Sequence, residues 1–143
     1  MTVSRLQFPP DPSQLARVRG DARDRALALG AASSQGDAVA LVVDELVNNA
    51  IEHGAVYRTK GVDLSVSVAL DGGRFVVDFI DPEMPDDQVR DLAEALQDSA
   101  GGLPALDSER GRGLFLLTVY MEDLSIDVAA GGGLHLKGKL AAD

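Results

Sequence analysis

The most regular hydrophobic pattern of the chain lies between Val39 and Gly54. Apolar residues recur there three and four positions apart, which is the spacing of one face of an α-helix. The apolar positions are Val39, Val42, Val43, Leu46, Val47, Ala50 and Ile51. The opposite face carries Asp44, Glu45, Asn48, Asn49, Glu52 and His53. The pattern therefore predicts a helix that packs on a core and presents polar groups on its other side.

Two weaker patterns precede this helix. Residues 6–8 alternate and are followed by prolines, which favours a short strand. Helical spacing then covers residues 15–29, and either Asp11 or Ser13 can cap that helix. Residues 33–36 are expected to link the two helices.

Alternating residues in the middle of the chain predict a β-hairpin. Residues 62–70 and 75–79 alternate, and the sequence Asp-Gly-Gly joins them at 71–73. Two further strands are expected at 124–128 and 134–140, on either side of three consecutive glycines. These elements predict an α+β fold, a two-layer sandwich with helices packed on one face of a mixed, mostly antiparallel sheet.

Residues 82–110 interrupt this regularity, because prolines and glycines bracket a short predicted amphipathic helix marked by Val89, Leu92 and Leu96. The segment looks like a long, mobile insertion. Loops of such length often act as lids or binding segments, and a plain surface excursion fits the same sequence. An apolar helix is expected next, over residues 113–121.

The composition indicates one domain, residues 1–143, which is long enough to bury a core. The chain has no cysteine, so disulfides and thiolate metal sites are excluded. Its first residues lack the features of a signal peptide, and no apolar stretch has the length of a membrane span. We therefore expect a soluble, cytoplasmic protein that does not associate with membranes.

Charge and aromatic content narrow the classes of ligand. The net charge of −10, from 23 acidic residues against 13 Lys and Arg, opposes direct binding to nucleic acid and suits a partner with a basic surface. Aromatic residues make up 4% and tryptophan is absent, so stacking platforms for bases or sugars are lacking. Protein or nucleotide ligands are the expected classes.

The polar face of the predicted helix contains no cation. Residues 36–57 hold four acidic residues and neither Lys nor Arg, whereas solvated helix faces usually mix both signs. One interpretation is an acidic solvent-exposed face; the other is a site for Mg²⁺ and a general base, since carboxylate and amide oxygens are hard ligands. Glu45, Asn49 and His53 follow one another by one turn, although His53 can equally cap the helix end. Asp44 and Glu45 make a poor acid/base pair for a hydrolase, because adjacent helical residues point about 100° apart.

A second candidate segment stands immediately before the apolar helix at 113–121. It consists of Arg110, Gly111, Arg112 and Gly113. Glycine N–H groups at a helix N-terminus can receive phosphate, and a guanidinium can clamp a terminal oxygen. The same sequence is also typical of a plain turn.

Two isolated polar residues remain. Asp81 ends the second hairpin strand, where its carboxylate can accept from an exocyclic amine such as that of adenine, or serve as an ordinary turn residue before Pro82. His135 lies in a terminal strand without a cysteine or histidine neighbour, so a zinc site is not expected.

In their order and spacing, these motifs resemble the GHKL (Bergerat-fold) ATPases, and within them the anti-sigma-factor serine kinases of partner-switching systems. The segments that carry the resemblance are FPPDPSQLARVR, the N box DELVNNAIEHG, ERGRGLFLL, MEDLSI and GGGLHLKGKL. They extend over nearly the whole chain. The resemblance therefore implies a single histidine-kinase-like ATPase domain with a lid over residues 82–110.

The resemblance also implies a role for each candidate residue. Glu45 would be the general base that takes a proton from a substrate serine, Asn49 would coordinate Mg²⁺ on the ATP phosphates, and His53 would support the site. Asp81 would bind adenine. The remaining ATP-binding residues would be Arg110, Gly111, Arg112, Gly113 and Leu114.

What is known of the family supplies the expected partners. Its kinases phosphorylate an anti-anti-sigma protein of the STAS fold on serine, they sequester a sigma factor or another regulatory effector, and they are commonly homodimers. The resemblance thus predicts an ATP- and Mg²⁺-dependent protein-serine kinase that sequesters a regulator.

One segment departs from the family pattern. The family typically has Asp-x-Gly-x-Gly after the central strand, and this chain has Asp81-Pro82-Glu83-Met84-Pro85. Glycine lets a backbone approach a ligand closely, so the replacement of both glycines predicts weaker ATP binding or an adapted lid. A non-catalytic partner-binding regulator with a degenerate ATP site is the alternative function.

Overall fold

The computed structural model describes residues 4–100 and 117–141. A short 3-10 turn, Pro12–Gln14, precedes the first helix, and residues 117–120 are helical. The other elements are β1 (Ser4–Phe8), α1 (Leu15–Ala28), α2 (Ser33–Gly54), β2 (Leu64–Asp71), β3 (Arg74–Asp81), α3 (Asp86–Ala100), β4 (Met121–Val128) and β5 (Leu134–Leu140).

The described strands form one five-stranded sheet in the order β1-β2-β3-β5-β4. Each neighbouring pair among them is antiparallel, so the described sheet is antiparallel throughout and not mixed. Phe79 stands opposite Val66 on one side and Leu136 on the other, and all three are buried in one core with the helices. The two-layer α+β sandwich predicted from the sequence is confirmed.

Helix α2 is longer than the pattern predicted, because it begins at Ser33. Residues 33–36 therefore form its first turn and not a link. Gly36 packs closely against the Leu27 side chain of α1, and Gln35 Oε1 accepts from the backbone N–H of Ala32 at 2.9 Å, which satisfies an otherwise free donor at the helix start. The predicted apolar face of α2 packs in the core.

A 3-10 turn with its own cap precedes helix α1. Asp11 Oδ1 accepts from the backbone N–H of Ser13 at 2.9 Å, so it caps the 3-10 turn that precedes α1. Val18, Ala22 and Ala26 form the buried side of α1, and the small alanine side chains allow α1 and α2 to pack closely.

The predicted hairpin is present as β2 and β3. Its turn contains Gly72 at φ 59° and Gly73 at φ 81°, a conformation that glycine adopts without steric cost. Because side chains alternate along a strand, Val77 and Phe79 point into the core and Asp78 lies on the opposite face of the sheet.

The segment after β3 contains more regular structure than the sequence indicated. Residues 86–100 form a 15-residue helix, α3, so the described part of this segment is not a long, mobile insertion. Val89 lies on the apolar side of α3 and is buried in the core. Residues 101–110 lie outside the described residues.

The predicted helix at 113–121 is described only in part. Residues 117–120 are helical, and residues 113–116 lie outside the described residues. Met121 already belongs to β4, which therefore begins three residues before the expected strand at 124–128, because Met121 pairs with Leu140 and fills the core. None of the described helices is both long and apolar enough to cross a membrane.

Candidate functional site

Helix α2 presents three of the predicted site residues along one side. Glu45, Asn49 and His53 follow one another at intervals of four residues, a little more than one turn, within the continuous helix. All three side chains are half-buried. The structure therefore brings a carboxylate, an amide and an imidazole into one row.

The carboxyl group of Glu45 is perturbed by its surroundings. Burial raises the pKa of Glu45 above its ordinary value of 4.5, and the charge of neighbouring Asp44 raises it further. Asp44 itself lies 3.5 Å from Arg19 Nη1 of helix α1. A carboxylate with a raised pKa accepts protons more readily, so Glu45 has a property that suits a general base.

A small cavity lies between α2, the sheet and the segment that follows β3. Its volume is about 50 Å³, whereas pockets for small molecules enclose about 300–1,000 Å³. In the described arrangement it is therefore too small for a nucleotide. The described residues that line it are Leu46, Asn49, Ala50, His53, Phe79, Met84, Leu92, Leu117, Leu134 and Leu136.

Asp81 is fully buried at the end of β3 and is bound to neighbouring side chains. Arg58 Nη1 donates to its Oδ1 at 3.0 Å, and Arg58 Nη2 donates to its Oδ2 at 2.9 Å. The Tyr57 hydroxyl donates to Oδ2 at 2.7 Å, and the backbone N–H of Glu83 donates to Oδ1 at 3.2 Å. Asp81 is thus the acceptor of a buried two-point ion pair and not merely a turn residue.

Arg58 reaches Asp81 from the chain that leaves α2. Its Nη2 also donates to the carbonyl oxygen of Ala50 at 3.0 Å, about one turn before the end of the helix. A Cβ atom at Gly54 would collide with this guanidinium, so the glycine provides its space. The Arg58 Cζ lies 5.2 Å from the centroid of the Tyr57 ring. Among the described side chains, Arg58 and not His53 donates to a backbone carbonyl near this end of the helix.

Glu83 holds the same stretch of chain from the other side. Its Oε2 accepts from the backbone N–H of Thr59 at 3.0 Å, and its Oε1 accepts from the backbone N–H of Val62 at 2.7 Å. These backbone hydrogen bonds lower the pKa of Glu83 below its ordinary value, and the bond from Val62 has the largest effect. A glycine at this position would provide neither hydrogen bond.

The start of β5 is packed against the end of β3. Gly133, at φ 90°, lies so close to the backbone of Asp81 and Pro82 that a Cβ atom there would overlap both. The third glycine of the predicted turn therefore has a packing role, because it allows the backbone of β5 to approach the segment that carries Asp81.

The predicted site residues fall into two groups. Asn49 and His53 line the cavity, and Glu45 lies one turn before Asn49 on α2. Ala50 connects this group to Asp81, because it lines the cavity and its carbonyl oxygen accepts from Arg58, which binds Asp81. The second group lies outside the described residues, so its phosphate-binding role stays a prediction; it consists of Arg110, Gly111, Arg112, Gly113 and Leu114.

Sequence reasoning missed Tyr57 and Arg58 as site residues. One signal was present, because Arg58 is the first cation after the cation-free stretch 36–57. Its partner Asp81 lies 23 residues further along the chain, so only the fold shows that the two meet.

His135 has a partner elsewhere. Its Nε2 lies 2.9 Å from Asp78 Oδ1, on the sheet face opposite the core, and Arg5 Nη2 lies 3.7 Å from the same oxygen. Within residues 4–100 and 117–141, no three His, Asp or Glu side chains are grouped so that they can hold a metal ion. A metal ion at the candidate site would therefore need ligands besides the described carboxylates, such as phosphate oxygens and water.

Comparison with solved structures supports the fold. A chain of the SiaB–SiaC complex from Pseudomonas aeruginosa superposes with a TM-score of 0.76 and 17% identity, over 96% of this chain and 88% of that one. The RsbU and RsbW domains of Rv1364c from Mycobacterium tuberculosis superpose with a TM-score of 0.64 and 18% identity, over 98% of this chain but only 32% of that one.

Comparison by sequence gives the family. No curated protein matches the chain. The family model described as the histidine kinase-like ATPase domain matches residues 8–137, which include α2, the hairpin and β4 and end within β5. The chain therefore belongs to the family of histidine kinase-like ATPase domains.

Proposed function

We propose that this chain is a cytoplasmic protein-serine kinase of the anti-sigma-factor type, which uses ATP and Mg²⁺ to phosphorylate a STAS-domain antagonist and sequesters a sigma factor or another regulator. The observation that carries the proposal is the row formed by Glu45 and Asn49 on α2, with burial and the Asp44 charge raising the pKa of Glu45. A base and an amide ligand one turn apart suit a reaction that needs a deprotonated hydroxyl beside a metal-bound phosphate.

Each candidate residue has its own role in the proposed reaction. Glu45 accepts the proton of the substrate serine hydroxyl, because a half-buried carboxylate of raised pKa is poised for that transfer. Asn49 offers its amide oxygen to Mg²⁺, and His53 completes the polar wall of the cavity. When bound, ATP with its Mg²⁺ supplies the phosphoryl group. Arg110 and the glycines 111 and 113 are proposed to receive its phosphates.

The fit of a nucleotide differs between the two ends of the site. The amide of Asn49 and the carboxylate of Glu45 have the oxygen chemistry that suits Mg²⁺ and proton transfer. At the other end, Asp81 is bound to Arg58 and the cavity measures about 50 Å³. An amine of the nucleotide base would therefore reach the Asp81 carboxylate only by replacing Arg58 or another of its donors.

The comparisons support a protein partner. One structural neighbour is a complex of two proteins, SiaB and SiaC, and another contains an RsbW domain. A net charge of −10 favours a partner with a basic surface and disfavours direct contact with nucleic acid. We propose a homodimer as the working assembly, on the resemblance to the anti-sigma kinases.

The proposal is tested by incubating the purified protein with labelled ATP, Mg²⁺ and its cognate STAS protein. Label is expected on a serine of the STAS protein. Absence of transfer by the wild-type chain, under conditions in which the two proteins bind each other, would defeat the kinase proposal.

A non-catalytic partner-binding regulator is the second candidate. The buried ion pair between Arg58 and Asp81 favours it, because that pair occupies the acceptor proposed for adenine. Calorimetric titration with ATP and Mg²⁺ separates the two candidates. Partner binding without any heat of ATP binding would support the regulator over the kinase.

A further inference from the structure

The carboxylate of Asp81 has no free acceptor position for a nucleotide base. Donors within residues 57–83 fill both of its oxygens: Arg58 contributes two N–H groups, Tyr57 its hydroxyl and Glu83 its backbone N–H. An ionised carboxylate offers about four acceptor sites. An incoming amine would therefore have to replace one of these donors.

The guanidinium of Arg58 is itself held in place. Its side chain is only 10% exposed, and it joins the C-terminal part of α2 to the end of β3 through Ala50 and Asp81. Gly54 leaves the space that the guanidinium fills. Two-point Arg–carboxylate pairs are among the stronger hydrogen-bonded contacts in proteins, so Arg58 competes effectively for Asp81.

Glu83 binds the backbone of the residues that follow Arg58. It binds the backbone N–H groups of Thr59 and Val62, and these contacts do not involve the Arg58 side chain. The stretch that carries Arg58 is thus held both by its side chain and by its backbone. We call Tyr57–Val62, with its acceptors Asp81 and Glu83, the latch.

Resting on the proposed function, in which Asp81 is the acceptor for adenine, we propose that the latch determines nucleotide affinity. Arg58 occupies the acceptor of the base, and Glu83, at the position where the family has glycine, keeps Arg58 there. Nucleotide binds to the fraction of molecules in which Arg58 has left Asp81. The apparent affinity for ATP is therefore the intrinsic affinity reduced by that fraction.

The test measures the dissociation constant of MgATP for the whole chain by calorimetry, in the wild type, Glu83→Gly and Asp63→Asn. Glu83→Gly removes both backbone hydrogen bonds and a negative charge near Arg58, and it keeps the N–H of residue 83 that donates to Asp81. Asp63→Asn removes the same charge from an exposed position beside the latch and controls for electrostatics. We expect Glu83→Gly to tighten MgATP binding about tenfold through a larger open fraction, and Asp63→Asn to leave it within about twofold.

A second readout follows the latch itself. Amide hydrogen exchange at Thr59 and Val62 is measured in the wild-type chain with and without MgATP, and we expect nucleotide to accelerate exchange at both. Loss of a residue with only a structural role would weaken MgATP binding. Tighter MgATP binding in Glu83→Gly therefore excludes a merely structural role for Glu83.

The possible results are distinguishable. Tighter binding in Glu83→Gly together with faster exchange supports the latch. Equal affinities in all three proteins, with Thr59 and Val62 still protected when MgATP is bound, overturn the latch and leave ATP binding intact. No binding of MgATP by any of the three overturns both the latch and the proposed kinase.

Discussion

Arg58 and Asp81 form a buried two-point ion pair, with Nη1–Oδ1 and Nη2–Oδ2 distances of 3.0 and 2.9 Å. The pair joins the chain that leaves α2 to the end of β3, the strand in the centre of the sheet. The same contact therefore bears on stability and on nucleotide access.

Removal of Arg58 is expected to destabilise the fold strongly. Arg58→Leu leaves the fully buried carboxylate of Asp81 without its cation, and breaking such a buried pair costs about 3–5 kcal/mol. The matched control is Arg23→Leu, which breaks an exposed pair with Asp37 at 2.8 Å and is expected to cost less than about 1 kcal/mol. Urea unfolding of both variants measures the difference. Similar free energies of unfolding for the two would show that the Arg58 pair is not a buried anchor.

The contribution of Glu83 to stability is expected to depend on pH. Hydrogen bonds from Val62 and Thr59 lower the pKa of Glu83 below its ordinary value of 4.5, so its folded-state pKa is below that of the unfolded chain. Its stabilisation is therefore complete above pH 4.5 and is lost as the pH falls through the lower folded-state value. The free energy of unfolding of wild type minus that of Glu83→Gln should be positive at neutral pH and shrink in acid. A difference that stays constant across this range argues against an ionised Glu83 as the acceptor.

The three consecutive glycines before β5 are expected to differ in their tolerance of a side chain. Gly133→Ala places a Cβ atom into the backbone of Asp81 and Pro82 and should cost well over about 1 kcal/mol. Gly132 has φ 92° but open space around it, so alanine there adds backbone strain alone, about 1 kcal/mol. Gly131→Ala meets neither problem and should be close to neutral. Thermal unfolding of the three variants gives the order; equal losses at 131 and 133 would contradict the close approach.

The pH profile of phosphoryl transfer is expected to report Glu45. Because burial and Asp44 raise its pKa above 4.5, the rate should fall in acid with an apparent pKa above that value. Asp44→Asn removes a nearby negative charge and should move this limb to lower pH. Glu52→Gln, an exposed change on the same helix, is the control and should leave the limb in place. If Asp44→Asn leaves the acid limb of the pH profile in place, a group other than Glu45 titrates.

Periodicity was sufficient to predict the main elements from the sequence. The apolar face of α2 and the β2–β3 hairpin rest on local patterns, so both were predicted in type, while the first turn of α2 was missed because residues 33–36 have turn-like composition. Helix α3 was expected to be short since prolines and glycines surround it. The helix packs on the core through Val89, Leu92 and Leu96, and these are tertiary contacts that the local sequence does not show.

The sequence predicted which candidate side chains lie together only where they share one helix. Glu45 and Asn49 follow from the spacing along α2, whereas Arg58 meets Asp81 because the end of α2 and the end of β3 lie side by side in the fold. Glu83 was recognised from the sequence as a departure from glycine. Its binding of two backbone N–H groups depends on the conformation of the chain after α2, which no periodic pattern encodes.

The most direct test of the central claim is phosphoryl transfer from labelled ATP to the cognate STAS protein by the wild type and by Glu45→Gln, with partner binding measured in parallel. The account predicts labelled serine with the wild type, a loss of transfer of at least about a hundredfold in Glu45→Gln, and unchanged partner binding in both. Equal transfer by the two proteins would contradict the role of Glu45 as the base, and no transfer by the wild type while it binds its partner would contradict the kinase itself.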